Sequence, residues 1–151
     1  MKPEIQKLAF GNRKSAMIYA TAALLSLLGL ADAIYLTVEH VNGQSVRCTI
    51  IAGCSEVLSS SYATIRGIPV AAVGAAAYFS VFSLATLAAF GYRVAATLLN
   101  PLVTAMFLIS LWLIYLQAFV IRAFCQFCLL SAAITFGLFI VVLIAHRTRA
   151  A

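Results

Sequence analysis

Charge is what this sequence has least of. Only 9% of its 151 residues are charged, where a soluble domain of this size would carry about a quarter. Asp and Glu together number four. Nothing in the order of residues suggests an internal repeat, a low-complexity segment or a fused domain. The apolar residues do not follow the one-sided spacing of a helix resting on a soluble core. They stand in blocks instead: Ala16 to Ala31, Gly67 to Tyr92, Val94 to Ile121 and Ala123 to Ala145 carry no charge at all. Crossing the hydrocarbon core takes roughly 20 apolar residues. Each block is long enough, the first if it runs on to Val38. Four spans and their connections use almost the whole chain, so no soluble domain is expected beside them.

A formal charge of +6 is compatible with nucleic acid, but its placement argues against that. Lys2, Lys7, Arg13 and Lys14 precede the first span, Arg93 separates the second from the third, and Arg147 and Arg149 follow the fourth. Arg47, Arg66 and Arg122 lie on the other side. Cytoplasmic loops are the ones enriched in Lys and Arg, so both termini are expected inside, with loops 39–68 and 119–124 facing outward. The basic termini suit anionic lipid headgroups, and no nucleic-acid partner is expected. Ala31-Asp32-Ala33 loosely fits a signal-peptide cleavage site, but apolar sequence resumes through Val38 and cleavage would leave three spans. A retained first helix is the reading adopted.

These features predict an all-α integral membrane protein, a single domain over 1–151. Its four-transmembrane-helix bundle would have helices near 15–38, 69–91, 95–121 and 124–145. Asp32 is the one charge inside the first helix. A carboxylate at mid-bilayer costs about 2.5–3.5 kcal/mol, so it should face the bundle interior or reach the headgroup boundary. In the loop 39–68, Asn42-Gly43 and Ala52-Gly53 are turn signals. Ser55 to Tyr62 reads as a short amphipathic surface helix, with Glu56 at the positive end of its dipole. Pro69 is placed in the first turn of the second helix, where its missing N–H is tolerated. The small residues Ala71, Ala72, Gly74, Ala75, Ala76 and Ala77 suit close helix packing in lipid. Asn100-Pro101 marks a start or a kink of the third helix. Trp112, Tyr115 and Phe119 suit an interfacial belt, or the wall of a ligand pocket.

The chain's four cysteines form two pairs near one membrane face: Cys48 and Cys54 in the long loop, Cys125 and Cys128 at the start of the last helix. Three connectivities are open to them. An outside location is oxidising, which permits disulfide chemistry. Cys125-Gln126-Phe127-Cys128 puts two sulfurs on one helix face, Cys128 about 4.5 Å deeper along the axis. A place near a helix N-terminus also favours the thiolate. One sulfur would then point to the loop and the other into the bundle, an arrangement for moving electrons from an aqueous donor to a lipid-soluble acceptor. Cys48 and Cys54, in an exposed and flexible loop, could swing between a soluble protein and the fixed pair. Two other readings compete: a four-thiolate zinc site, for which the Cys48–Cys54 spacer is long, and a pair of inert structural disulfides.

From Gly29-Leu30-Ala31-Asp32 to the end of the last helix, the sequence resembles the vitamin K epoxide reductase family, in particular its bacterial members. Cys48 and Cys54, Cys54-Ser55-Glu56-Val57-Leu58-Ser59-Ser60, Gly67-Ile68-Pro69 and Cys125-Gln126-Phe127-Cys128-Leu129-Leu130 carry the resemblance. The unrelated DsbB-type oxidases place their CxxC in the first outer loop, whereas here it comes last. The resemblance implies a bundle around a quinone, ubiquinone or menaquinone, in a bacterial inner membrane. It implies that Cys128 lies nearest the quinone, that Cys125 exchanges with Cys54, and that Cys48 meets a periplasmic DsbA-like thioredoxin-fold partner. Ser60 matches a family serine near the quinone, with Ser59 and Ser61 beside it. Two departures stand out. The chain stops at Ala151 without the thioredoxin-like domain that many bacterial relatives carry, so the partner is expected to be a separate protein. Ala132 stands where the animal enzymes have a tyrosine, which favours a quinone over vitamin K epoxide as substrate. No metal is expected.

Overall fold

In the computed structural model, residues 2–44, 46, 48–51 and 53–150 are described, with side chains described from Arg13 onward and as far as Arg149. Arg47 and the Ala52 half of the Ala52-Gly53 break lie outside the described residues, as do the side chains of Lys2 and Lys7. Five α-helices follow one another: α1 Lys2–Val41, α2 Cys54–Ser59, α3 Val70–Ala89, α4 Arg93–Tyr115 and α5 Gln126–Ala150. The stretches Arg13–Val41, Val70–Ala89, Arg93–Ile121 and Gln126–Arg149 are long and apolar enough to cross a membrane. The protein is a four-helix membrane bundle in which α1 packs on α3 and α5, while α4 packs on α3 and α5 from the other side.

Polarity is distributed as a bilayer demands. Leu24, Leu28, Phe79 and Leu108 point outward, whereas the buried polar residues among those described are Ser26, Asp32, Gln117 and Thr135. Many hydroxyls on the spans bond the carbonyl one turn back, as Thr37 does to Ala33 (2.7 Å) and Thr86 to Phe82 (2.8 Å). This leaves little unpaired polarity for the lipid. Ala22, Ala85, Ala88 and Ala95 fill the contacts between helices, where small side chains let backbones approach. Gly29 of α1 lies under the ring of Tyr78 on α3, and a Cβ there would collide with that ring. The Tyr78 hydroxyl donates to the Ser131 carbonyl at 2.9 Å and stands 2.8 Å from Ser131 Oγ and 2.9 Å from Thr135 Oγ1. One tyrosine thus fixes α3 against both α1 and α5.

Several boundaries differ from the sequence expectation. Helix α1 begins at Lys2, well before Ser15, because helix-forming residues carry it on beyond the apolar run. Pro69 caps α3 rather than entering its first turn. It closes a small hairpin, Thr64–Ile65 paired antiparallel with Ile68–Pro69, inside the segment expected to be an outer loop. Arg66 (φ 52°) and Gly67 (φ 84°) make its turn. Two successive positive φ values are the signature of a tight hairpin turn with the primed geometry. Pro101 lies inside α4, so Asn100-Pro101 does not start the helix. Trp112, Tyr115 and Phe119 are exposed outside the bundle, Trp112 stacked on Tyr115 and Phe119 tilted against it.

Replacing Gly29 with Ala should therefore overpack the α1–α3 contact and destabilise the bundle by about 1–3 kcal/mol. Tyr78→Phe should cost about 1 kcal/mol through its lost hydrogen bonds. Thermal unfolding in detergent measures both, and a Gly29→Ala protein as stable as the parent would refute the packing argument.

Candidate functional site

The short helix α2, the end of α4 and the start of α5 meet at one end of the bundle. There α4 passes into a π-helical turn, Leu116–Ile121, and the chain reverses at Arg122 in the left-handed region (φ 57°). The wider turn brings the buried Gln117 side chain under the connection. Its Oε1 accepts the Cys125 N–H at 3.0 Å, and its carbonyl accepts the Ala123 N–H at 3.1 Å. Cys125 itself precedes α5, where its carbonyl accepts the first helical N–H, from Leu129 (3.0 Å). It is a capping residue and not, as the sequence suggested, the first member of a helical i, i+3 pair.

The loop pair reaches this point by a close backbone approach. Gly53 packs on the backbone of Phe124 with no room for a Cβ, which sets Cys54 directly against the connection between α4 and α5. Cys48 and Cys54 are joined by a disulfide, with Cα atoms 5.8 Å apart. Leu36, Val46, Cys54, Val57, Ala123 and Cys125 form a separate buried apolar cluster around them. The expectation of an exposed loop pair is corrected here: Cys54 is buried and Cys48 half-buried, while Ile50 between them is 86% exposed. The loop is clamped by a residue inside the CxxC itself. Gln126 Oε1 accepts the Ile50 N–H at 2.9 Å, and its Nε2 reaches Thr49 Oγ1 at 3.4 Å.

The sulfurs of Cys48, Cys54 and Cys125 all lie within 4.8 Å of one another. Cys125 and Cys128 are free thiols. A disulfide sulfur is a poor metal ligand but a good target for a thiolate, so in this oxidation state the cluster is arranged for exchange. Cys125 lies just ahead of the last span. Its thiol is drawn down from its ordinary value to about 7, first by the hydrogen bond from the Cys128 side chain. Burial opposes this, and the N–H groups of Cys128 and Phe127 add to it. Its thiolate is therefore well populated at neutral pH.

Behind the sulfurs opens a cavity of ≈190 Å³. Cys128 lines it; Cys125 does not. Most of its wall is apolar, including Leu36, Val57 and Met106, with a few polar groups set among them. That is the composition of a site for an apolar ligand bearing a few polar atoms. Ser60 lines the cavity and neither Ser59 nor Ser61 does. The Ser60 hydroxyl donates to the Val57 carbonyl at 2.7 Å, so in this arrangement it can only accept from a ligand. Ala132 also forms part of the wall. Sequence reasoning missed Gln117, Gln126, Tyr78 and His40, which position the sulfurs or line the cavity. For the two glutamines a signal was available: each is an amide in an otherwise apolar stretch.

Two outcomes follow from this geometry. Exchange between the two pairs should quicken from about pH 6 to about 8 and level off above, as Cys125 deprotonates. Cys128→Ala should move the midpoint of Cys125 deprotonation upward, read from thiolate absorbance with the loop disulfide intact. Gln126→Leu should unclamp the loop and slow exchange several-fold in stopped-flow mixing; an unchanged rate would show that the amide holds nothing that matters.

A family model matches this architecture: the vitamin K epoxide reductase family, over residues 20–143. The chain belongs to that family, as its cysteine spacings led one to expect, and is an oxidoreductase of the thiol–disulfide and quinone kind. Enzymes of the family use quinones and generally work with thioredoxin-like redox partners.

Proposed function

From membership of that family, we propose that this protein oxidises a DsbA-like thioredoxin-fold dithiol and passes the electrons to ubiquinone or menaquinone. The observation that carries the reading is the division of the sulfurs: three clustered within 4.8 Å, and the fourth, Cys128, facing the cavity. A partner thiolate attacks Cys48 and releases Cys54; the partner's second thiolate then attacks the partner sulfur of that mixed disulfide, closing the partner's own disulfide and releasing Cys48 as a thiol. The reduced loop pair attacks Cys125 through Cys54, which frees Cys128, and Cys48 closes on Cys54 again. The product of that sequence has an oxidised loop and a reduced CxxC, the state described above. The apolar wall would hold the quinone ring beside Cys128, with Ser60 at the wall's edge. When bound, the quinone supplies an acceptor for two electrons and two protons. In this reading the protein sits in a bacterial inner membrane with both termini cytoplasmic and the cysteines outside, an orientation supported by the distribution of basic residues.

The thiol-driven reductase of vitamin K epoxide draws no support from the cavity wall, where Ala132 offers no hydroxyl. Purified protein with a reduced DsbA-like partner and a short-chain ubiquinone tests the proposal. Cys128→Ala should abolish quinone reduction and keep partner exchange at the loop. A partner lacking its second cysteine should accumulate a mixed disulfide with Cys48 of the unsubstituted protein, seen on non-reducing gels, and should form none with Cys48→Ala. Full turnover without Cys128 would overturn its role, and stoichiometric zinc without turnover would favour a scaffold.

A further inference from the structure

Reduction of a quinone needs protons as well as electrons, and the interior of the cavity holds few groups that can deliver them. The titratable side chains lining it are Asp32 and His40 from α1, Tyr62, Tyr78 from α3 and Cys128 from α5; α4 contributes none. His40 lies eight residues beyond Asp32, about 12 Å further along the helix towards the loop. Tyr62, half exposed, sits in the loop as well. The Tyr78 hydroxyl is committed to Ser131 and Thr135. Asp32 is different. It is only 8% exposed, it lines the cavity, and its Oδ2 is the one buried side-chain oxygen or nitrogen without a hydrogen-bond partner among the described residues. None of the groups facing it from α3 or α5 is a cation. A bare carboxylate there has nothing to balance it, and a quinone carbonyl can only accept. Such a carbonyl is met by a carboxyl group that still carries its hydrogen.

We infer that Asp32, as the neutral acid, is a catalytic residue that donates a proton to a carbonyl oxygen of the quinone. The inference rests on the quinone reading of the cavity given above. Closing the Cys125–Cys128 disulfide releases two electrons and two protons from the dithiol, and reduction to the hydroquinone consumes both. Asp32 hands over its proton as the electrons arrive, then recovers one of the two that the thiols release. It ends the cycle unchanged, so the step needs no further reactant.

Asp32 is the only aspartate in the chain. Isotope-labelled aspartate therefore assigns its carboxyl vibration without any substitution. Protein in lipid nanodiscs should show an infrared carboxylic-acid band that moves with the label and shifts when a short-chain ubiquinone is added. Asp32→Asn keeps the size and a hydrogen-bonding side chain but has no proton to give. It should lower kcat for quinone reduction by about 100-fold or more, with KM within about twofold and thiol exchange with the loop unchanged. A labelled band reporting carboxylate, a retained kcat, or a change confined to KM would each overturn the proton-donor role while leaving the proposed function standing. Failure of the unsubstituted protein to reduce any quinone would instead overturn the proposed function, and this role with it.

Discussion

Thiol–disulfide exchange requires sulfurs almost in contact, and here that contact has to form where membrane helices end. The backbone of a span must satisfy its own hydrogen bonds in lipid, so irregular chain is confined to the bundle's ends or to places buried in protein. Cys125 is the last of the residues 122–125, where one ladder has stopped and the next has not begun. Its N–H, left over by both helices, is taken by the Gln117 side chain. Gly53 then lets the loop backbone lie on Phe124 closely enough to bring Cys54 alongside. Remove that approach and the two pairs belong to separate parts of the molecule.

The same constraint explains the division of labour between the cysteines of the CxxC. Had both been in regular helix, they would differ mainly in depth. With Cys125 at the cap and Cys128 in the first turn, one sulfur meets the loop and the other meets the cavity. The hydrogen bond from Cys128 that favours the Cys125 thiolate joins the two stations, so the loop-facing sulfur is activated by the cavity-facing one.

The spans were legible because lipid imposes a single rule on every residue that crosses it, and that rule is written in uninterrupted apolar runs. The two cysteine pairs and their family spacing were legible for a related reason, since nothing else in so apolar a chain carries this chemistry. What escaped was geometry set by one or two residues. The hairpin at Arg66-Gly67 rests on two positive φ values, one of them at an arginine that no turn rule singles out. The π-turn of Leu116–Ile121 is an insertion in register, invisible to hydropathy. The burial of Cys54 follows from a tertiary contact, Gly53 on Phe124, that joins residues far apart in sequence.

Asp32 shows where these two kinds of information meet. Sequence alone allowed two sites for it, the bundle interior or the headgroup boundary, because a carboxyl near a helix end can reach either. The packing of α1 decides the matter: Gly29 seats the helix against Tyr78, Ala33 faces Gly74, and the turn between them turns Asp32 into the cavity. The hydroxyls that could have satisfied it are already engaged with one another across α3 and α5. A bundle that ties Tyr78, Ser131 and Thr135 to one another, yet leaves a buried oxygen of Asp32 without a partner on a residue that lines the cavity beside Cys128, keeps that carboxyl free for whatever enters.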